Sequence, residues 1–249
     1  INDDYSHIKD IEWTNNTDTE VILNLLNIFT FQETLELLKG MFVIAIWDNK
    51  KNVLHIARDR AGEKPVYYYS KDNFFIFASE LKSIKKFSYF DDQISRESVS
   101  DLIDRGYISG TKSIYLKTKK IKPGFYLSLD QNKMKYTLKR YWRLNKKYNN
   151  HNLNENNNNH SNTIEKLLKS SLCNQLHADV PVGIFLSGGI DSSLIVSLTN
   201  DLGIKPKTFS IGFEDDNFDE AKDSKKIANY LDTEHYEHFL TGREALDLI

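Results

Sequence analysis

The segment Phe185-Leu186-Ser187-Gly188-Gly189-Ile190-Asp191-Ser192-Ser193 constrains this chain more than any other. It follows an apolar run, Val180 to Leu186, and precedes a helical pattern through Leu194, Ile195, Val196 and Leu198. That order predicts a strand, a tight loop and a helix. Two adjacent glycines let the backbone turn where a Cβ would clash. The turn gathers backbone N–H groups at a helix start, where unpaired amides and the helix dipole favour phosphate. Ser187, Ser192 and Ser193 add hydroxyl donors. The P-loop pattern G-x-x-x-x-G-K-S/T is absent, so an ordinary P-loop is excluded.

The surrounding pattern is regular. Ile164, Leu167, Leu168, Leu172 and Leu176 recur at helical spacing. A strand (182–186), a helix (191–199), a strand (208–213), a helix (219–230) and a strand (235–240) follow. Strands alternating with helices predict a parallel sheet covered on both faces. Ligands of such sheets sit beyond the carboxyl ends of the strands. Ser187-Gly188-Gly189 lies at one such end, and Ile211-Gly212 near the next.

The first half reads differently. Thr17-Asp18-Thr19-Glu20 opens a helix with a capping-box pattern, and Val21, Ile22, Leu25, Leu26 and Phe29 form its apolar face. A short helix, 34–38, ends at Gly40. Residues 41–47 are almost wholly apolar, which predicts a buried strand, and 53–57 returns as its hairpin partner. Strands 66–69 and 74–78 flank a turn at 71–73. A short helix begins at Glu80, and Ser95 caps another with Val99, Leu102 and Ile103 inward. Pro123-Gly124 precedes a strand, 125–129.

Between the halves, Asn149 to Asn162 is mostly asparagine and has no apolar period. Such a tract buries too little surface to offset its ordering entropy. The expected division is a first domain over 1–148, a linker over 149–162 and a second domain over 163–249. A formal net charge of −2 gives no basic excess for a nucleic-acid backbone, and no apolar run is long enough to span a membrane. The one cysteine, Cys173, excludes an intrachain disulfide, so the cytoplasm is the expected location. Cys173 lies in a helical pattern with no base nearby in sequence; a buried, unreactive thiol is the expectation. The chain opens without methionine and stops within a new helical pattern, as an internal piece of a longer polypeptide would.

The segment Ser187-Gly188-Gly189-Ile190-Asp191-Ser192 resembles the pyrophosphate loop, S-G-G-x-D-S, of enzymes that adenylate a substrate. Further stretches extend the likeness: Thr17 to Leu23, Gly40 to Asp48, Ala57 to Pro65, Phe77 to Lys82, Arg140-Tyr141-Trp142 and Asp179 to Gly183. Together they resemble the glutamine-dependent asparagine synthetases, and they do so through most of the chain. The resemblance implies a partial N-terminal glutaminase of four-layer αββα, Ntn type, then a partial α/β synthetase domain. The first would free ammonia from glutamine. The second would convert aspartate and MgATP to β-aspartyl-AMP and pyrophosphate, and ammonia would displace AMP.

The resemblance also assigns residues. Asp18 matches the aspartate that pairs with the α-ammonium of glutamine; otherwise it is an acid at a helix start. Ser187, Gly188, Gly189 and Ser192 would hold the phosphates of ATP. Leu186 and Ile211 match positions that contact the adenosine, and would otherwise be plain sheet core. Asp191 would meet Mg²⁺, which prefers oxygen ligands shared with phosphate. Asp215, Asp216, Asp219 and Glu220 either lie near the nucleotide or begin the next helix. Arg58, Asp59, Arg60, Glu63 and Lys64 are read as scaffold near the domain junction. The family's N-terminal cysteine nucleophile has no counterpart here, so the catalytic residues stay unassigned and the chain alone is expected to be inactive. A homodimer is left open. Rival readings are a relative that amidates a sugar or peptide or closes a β-lactam ring, a nucleotide-activating enzyme acting on RNA, and a degenerate, non-catalytic domain.

Overall fold

The computed structural model describes Thr14 and residues 17–144, 157–178, 180–213 and 220–247. The chain divides into two compact units, 1–147 and 148–249.

The first unit opens with helix α1 (Asp18–Ile28), where Thr17 Oγ1 accepts the Glu20 N–H at the N-cap. The Glu20 carboxylate accepts from the N–H and hydroxyl of Thr14. Helix α2 (Phe31–Leu37) starts earlier than the expected 34–38, because Thr30 and Glu33 form a complete capping box. Strands β1 (Val43–Asp48), β2 (Val53–Arg58), β6 (Phe125–Asp130) and β7 (Lys135–Arg140) make an antiparallel sheet in the order β1-β2-β6-β7. Strands β3 (Tyr67–Lys71), β4 (Phe74–Ala78) and β5 (Thr118–Lys120) make a second, in the order β4-β3-β5.

Ile56 and Ala57 are consecutive in β2, and both are buried. Side chains alternate along a strand, so the larger sheet is covered on both faces. Ala57 and Tyr126 face Val21, Leu25, Leu35 and Leu38 of the two helices. Ile56, Leu127 and Leu129 face Val66, Tyr68 and Ile121. Helix α3 (Leu81–Lys85) contacts β4 and β3.

Two expectations are corrected in this unit. Among the described residues β1 is not buried: it pairs there only with β2, and Met41 beside it and Trp47 within it are exposed. An apolar run does not distinguish an edge strand from a central one. Helix α4 (Arg96–Arg105) is capped by Ser95 as expected, but Leu102 and Ile103 face outward and Ser98 is its buried residue.

In the second unit, helix α5 (Asn157–Leu176) begins inside the asparagine-rich tract. Strands β8 (Gly183–Phe185), β9 (Lys207–Phe213) and β10 (Glu234–Leu240) form a parallel sheet in the order β10-β9-β8. Helix α6 (Ile190–Asp201) links β8 to β9, and α7 (Ala221–Tyr230) links β9 to β10; α8 (Gly242–Asp247) follows. The expected cover on both faces is not found among the described residues. Both crossovers step in one direction along the sheet, and right-handed crossovers that do so lie on one face. Leu186, Val196 and Ala228 form the core on that face. Phe185, Phe209, Ile211 and Phe213 are exposed.

Candidate functional site

Each unit holds one candidate site. In the first, Asp18 occupies the first turn of α1 and lines a cavity of about 610 Å³. Ile22, Leu38, Met41, Phe42, Val43, Ile44 and Pro65 supply apolar wall, and Lys39, Lys64 and Ser79 supply polar atoms. One carboxylate and two ammonium groups around an apolar pocket suit a small zwitterion. The likeness reached Asp18. The two lysines come to it from other segments of the chain, and no local spacing announces them. Among the described residues that line the cavity there is no thiol and no imidazole.

The loop before Lys64 holds its place through one buried charge, Asp59, and one half-buried charge, Arg58. Asp59 is fully buried, and its carboxylate accepts the N–H groups of Gly62, Glu63 and Lys64 at 2.6, 2.9 and 3.0 Å. Burial alone would raise its pKa, but these amides outweigh that and hold it below the usual carboxylate range. Arg58 donates to the carbonyls of Lys64, Ile121 and Gly62. Gly62 has φ +73°, and a Cβ there would lie 2.7 Å from Pro123 Cγ. The Arg58 and Asp59 side chains are therefore scaffold, whereas the Lys64 residue also lines the cavity.

In the second unit, Ser187 to Gly189 leave the carboxyl end of β8 and α6 starts at Ile190. The amides of Ile190, Asp191 and Ser192 open the helix and have no intrahelical acceptor. Ser187 Oγ lies 2.9 Å from Ser192 Oγ and accepts from the Gly189 N–H. Ser192 Oγ donates to the carbonyls of Ser187 and Gly189, and Ser193 Oγ to Gly189 O at 2.7 Å. The loop's hydroxyls thus close on the loop itself.

The two glycines have different reasons. A Cβ at Gly188 would lie 2.9 Å from Asp223 Cβ, so close packing demands glycine there. Gly189 has φ −83°, open to any residue, and its Cβ would meet only Ser187 Oγ, at 3.3 Å. The expected clash at both positions holds only at Gly188. Asp223 and its partner Lys226, 2.8 Å apart, escaped sequence reading: their i,i+3 spacing shows the pair but not the loop beneath.

Leu186 and Ile211 are not brought together. Leu186 is buried with Val196 and Ala228, and Ile211 is exposed on the uncovered face. Asp191 is exposed in the first turn of α6. Among the described residues no group of three or more His, Cys, Asp or Glu could hold a metal ion. Asp215, Asp216 and Asp219 lie outside the described residues, and Glu220 precedes α7. Cys173, expected to be buried, is exposed on α5.

Comparison with known proteins follows the same division. The family profile described as glutamine amidotransferase domain matches residues 2–142, and that described as asparagine synthase matches residues 163–249. A Methanocaldococcus jannaschii protein with the provisional name glutamine-hydrolysing asparagine synthetase 2 is 36% identical over 246 residues, covering 96% of this chain and 46% of that protein. Glutamine-hydrolysing asparagine synthetase 1 of Bacillus subtilis is 30% identical over 239 residues, covering 96% of this chain and 37% of its own. The chain spans less than half the length of these relatives. With one profile matched after the other in a single polypeptide, the chain belongs to the glutamine-hydrolysing asparagine synthetase family.

Proposed function

We propose that this chain is part of a glutamine-dependent asparagine synthetase that converts aspartate, glutamine and ATP to asparagine, glutamate, AMP and pyrophosphate. The observation that carries this reading is the S-G-G-I-D-S loop at the carboxyl end of β8, open at the first turn of α6, in a chain that also matches a glutaminase domain. Residues 1–148 are read as the glutaminase portion, with helix, sheet, sheet and helix as its αββα succession, 149–162 as the linker and 163–249 as the synthetase portion. Glutamine would lie in the first cavity, with its α-ammonium on Asp18.

In the second unit the residues fit a triphosphate. The free amides of Ile190, Asp191 and Ser192 point from a helix start, Gly188 lets the loop lie close to α7, and Ser187 and Ser192 carry hydroxyls that can exchange each other for phosphate oxygen. The adenosine would lie against the backbone of Leu186 and the side chain of Ile211. Mg²⁺, when bound, offsets phosphate charge. One carboxylate, Asp191, suffices to hold it, because Mg²⁺ keeps waters and phosphate oxygens as its other ligands. Preorganised amides and hydroxyls favour the charge that gathers on departing pyrophosphate.

Gly189→Val is the discriminating variant, because a Cβ there meets only the Ser187 hydroxyl, at 3.3 Å, and the side chain beyond it blocks the loop's open amides. In a polypeptide of the relatives' full length, aspartate-dependent pyrophosphate release should fall by about 10²-fold or more, with glutamine hydrolysis retained. Release at the wild-type rate would make the loop a turn only. Wild-type protein that needs a sugar or peptide carboxylate in place of aspartate would select the related amidating enzymes.

A further inference from the structure

We propose that the Asp223–Lys226 pair on α7 sets the affinity of the loop after β8 for polyphosphate: Lys226 attracts the ligand's charge, and Asp223 restrains that attraction. This rests on the reading of the loop as a triphosphate site, and it adds a control that the loop's own residues do not supply.

A loop that holds several phosphates gains from a full positive charge, and this one has none of its own. From Ser170 to Ile204 there is no lysine or arginine. The loop's donors are hydroxyls, amides and the dipole of α6, which carry partial charges only. A distant segment brings the cation. A Cβ at Gly188 would lie 2.9 Å from Asp223 Cβ, and 3.9 Å from both Asp223 Oδ2 and the Glu220 carbonyl oxygen. The first turn of α7 therefore lies against the loop. Lys226 Nζ donates to Asp223 Oδ1 at 2.8 Å. The two carboxylate oxygens thus have different neighbours: Oδ1 takes the ammonium, and Oδ2 is the one near Gly188.

Both groups are charged at neutral pH, because the hydrogen bond from Lys226, and then its charge, holds the Asp223 carboxyl below the usual carboxylate range. Gly188 and Ile190 are two residues apart, so the open amides begin within about 7 Å of Gly188. That is inside the screening length of about 8 Å at physiological salt, so a phosphate on those amides feels both charges. The pair is exposed, 67% at Asp223 and 76% at Lys226, and an exposed pair of this spacing adds little to stability. The flexible lysine stem lets the ammonium leave Oδ1 for a phosphate oxygen. A matched pair, Lys205 and Asp232 at 3.1 Å, lies at the amino ends of β9 and β10, the opposite end of the sheet from the loop.

The test titrates inorganic pyrophosphate into the 249-residue chain and follows the amide resonances of Ile190 and Asp191. At low ionic strength Lys226→Met should weaken binding by about threefold or more, the effect of one unit charge through water at this range. Asp223→Asn should strengthen binding by about as much. Both effects should shrink as sodium chloride is added, and both should be smaller for inorganic phosphate, which carries less charge. Lys205→Met removes the same charge at the far end of the sheet and should bind as wild type. Without ligand the variants should melt close to the wild type. Wild-type shifts with equal affinity in the Asp223 and Lys226 variants would overturn the proposal and leave the loop reading intact. So would weaker binding in both, since the pair would then only brace the loop. Equal weakening by Lys205→Met would make net charge the cause and also overturn it. If pyrophosphate moves neither wild-type resonance, the proposal and the loop reading fail together.

Discussion

His55 lies within β2 and Asp59 just beyond its end, and both favour folding at neutral pH over acid. The Asp59 pKa is lowered in the folded chain, so its contribution is full above the unfolded carboxylate value and is lost as pH falls through the folded one. Asp59→Ala should destabilise the first unit by about 3 kcal/mol or more, because three part-buried amides lose their charged acceptor. Asp59→Asn should lose less and should flatten the acid limb of a urea-midpoint profile below about pH 4. His55 stacks on Phe31 at 4.7 Å, and its Nδ1 lies 2.8 Å from Ser128 Oγ. Burial, aided by Lys51 and Lys139 against the pull of Asp48, lowers its pKa from 6.5. The unfolded chain therefore takes the proton first, and stability should begin to fall as pH drops below 6.5. His55→Gln should remove that slope; a slope unchanged in the variant would place the titration elsewhere. Cys173 should react with a thiol reagent in the folded chain without denaturant, because it is exposed. Protection until unfolding would contradict its placement.

At the scale of elements, β9 shows why pattern alone misplaces a face. Thr208, Ser210 and Gly212 lie under the helices, and the larger Phe209, Ile211 and Phe213 face outward. Small residues are needed beneath because Phe239 fills the space over Gly212, where a Cβ would come 2.5 Å from its ring. The exposed face should bind a hydrophobic dye such as anilinonaphthalene sulfonate in the native chain. Ile211→Ser with Phe213→Ser should reduce the signal with each substitution changing stability by no more than about 0.5 kcal/mol. Dye binding unaltered by the pair would mean that another surface takes it. β1 makes the complementary point. Its composition reads as buried, but burial belongs to the strand's neighbours, and among the described residues it has one.

At the scale of the whole molecule, two units with separate cores predict a preferred point of cleavage. Limited proteolysis should cut first between residues 149 and 156, where composition offers no apolar period, and leave two resistant pieces. A first cut within β1 to β4 would refute the division. The sequence by itself determined the existence and kind of most elements, β5 and β7 excepted, because helix caps such as Thr17 and Ser95, turn residues and apolar period act within a few positions. It also determined the loop from Ser187 to Ser192, whose residues are contiguous. Tertiary structure alone decided the rest: that Gly188 packs on Asp223 while Gly189 meets only Ser187 Oγ, that Leu186 and Ile211 lie on opposite faces, and that Lys39 and Lys64 join Asp18. Each of these depends on side chains brought together from distant positions, and contact at that range leaves no period in the chain.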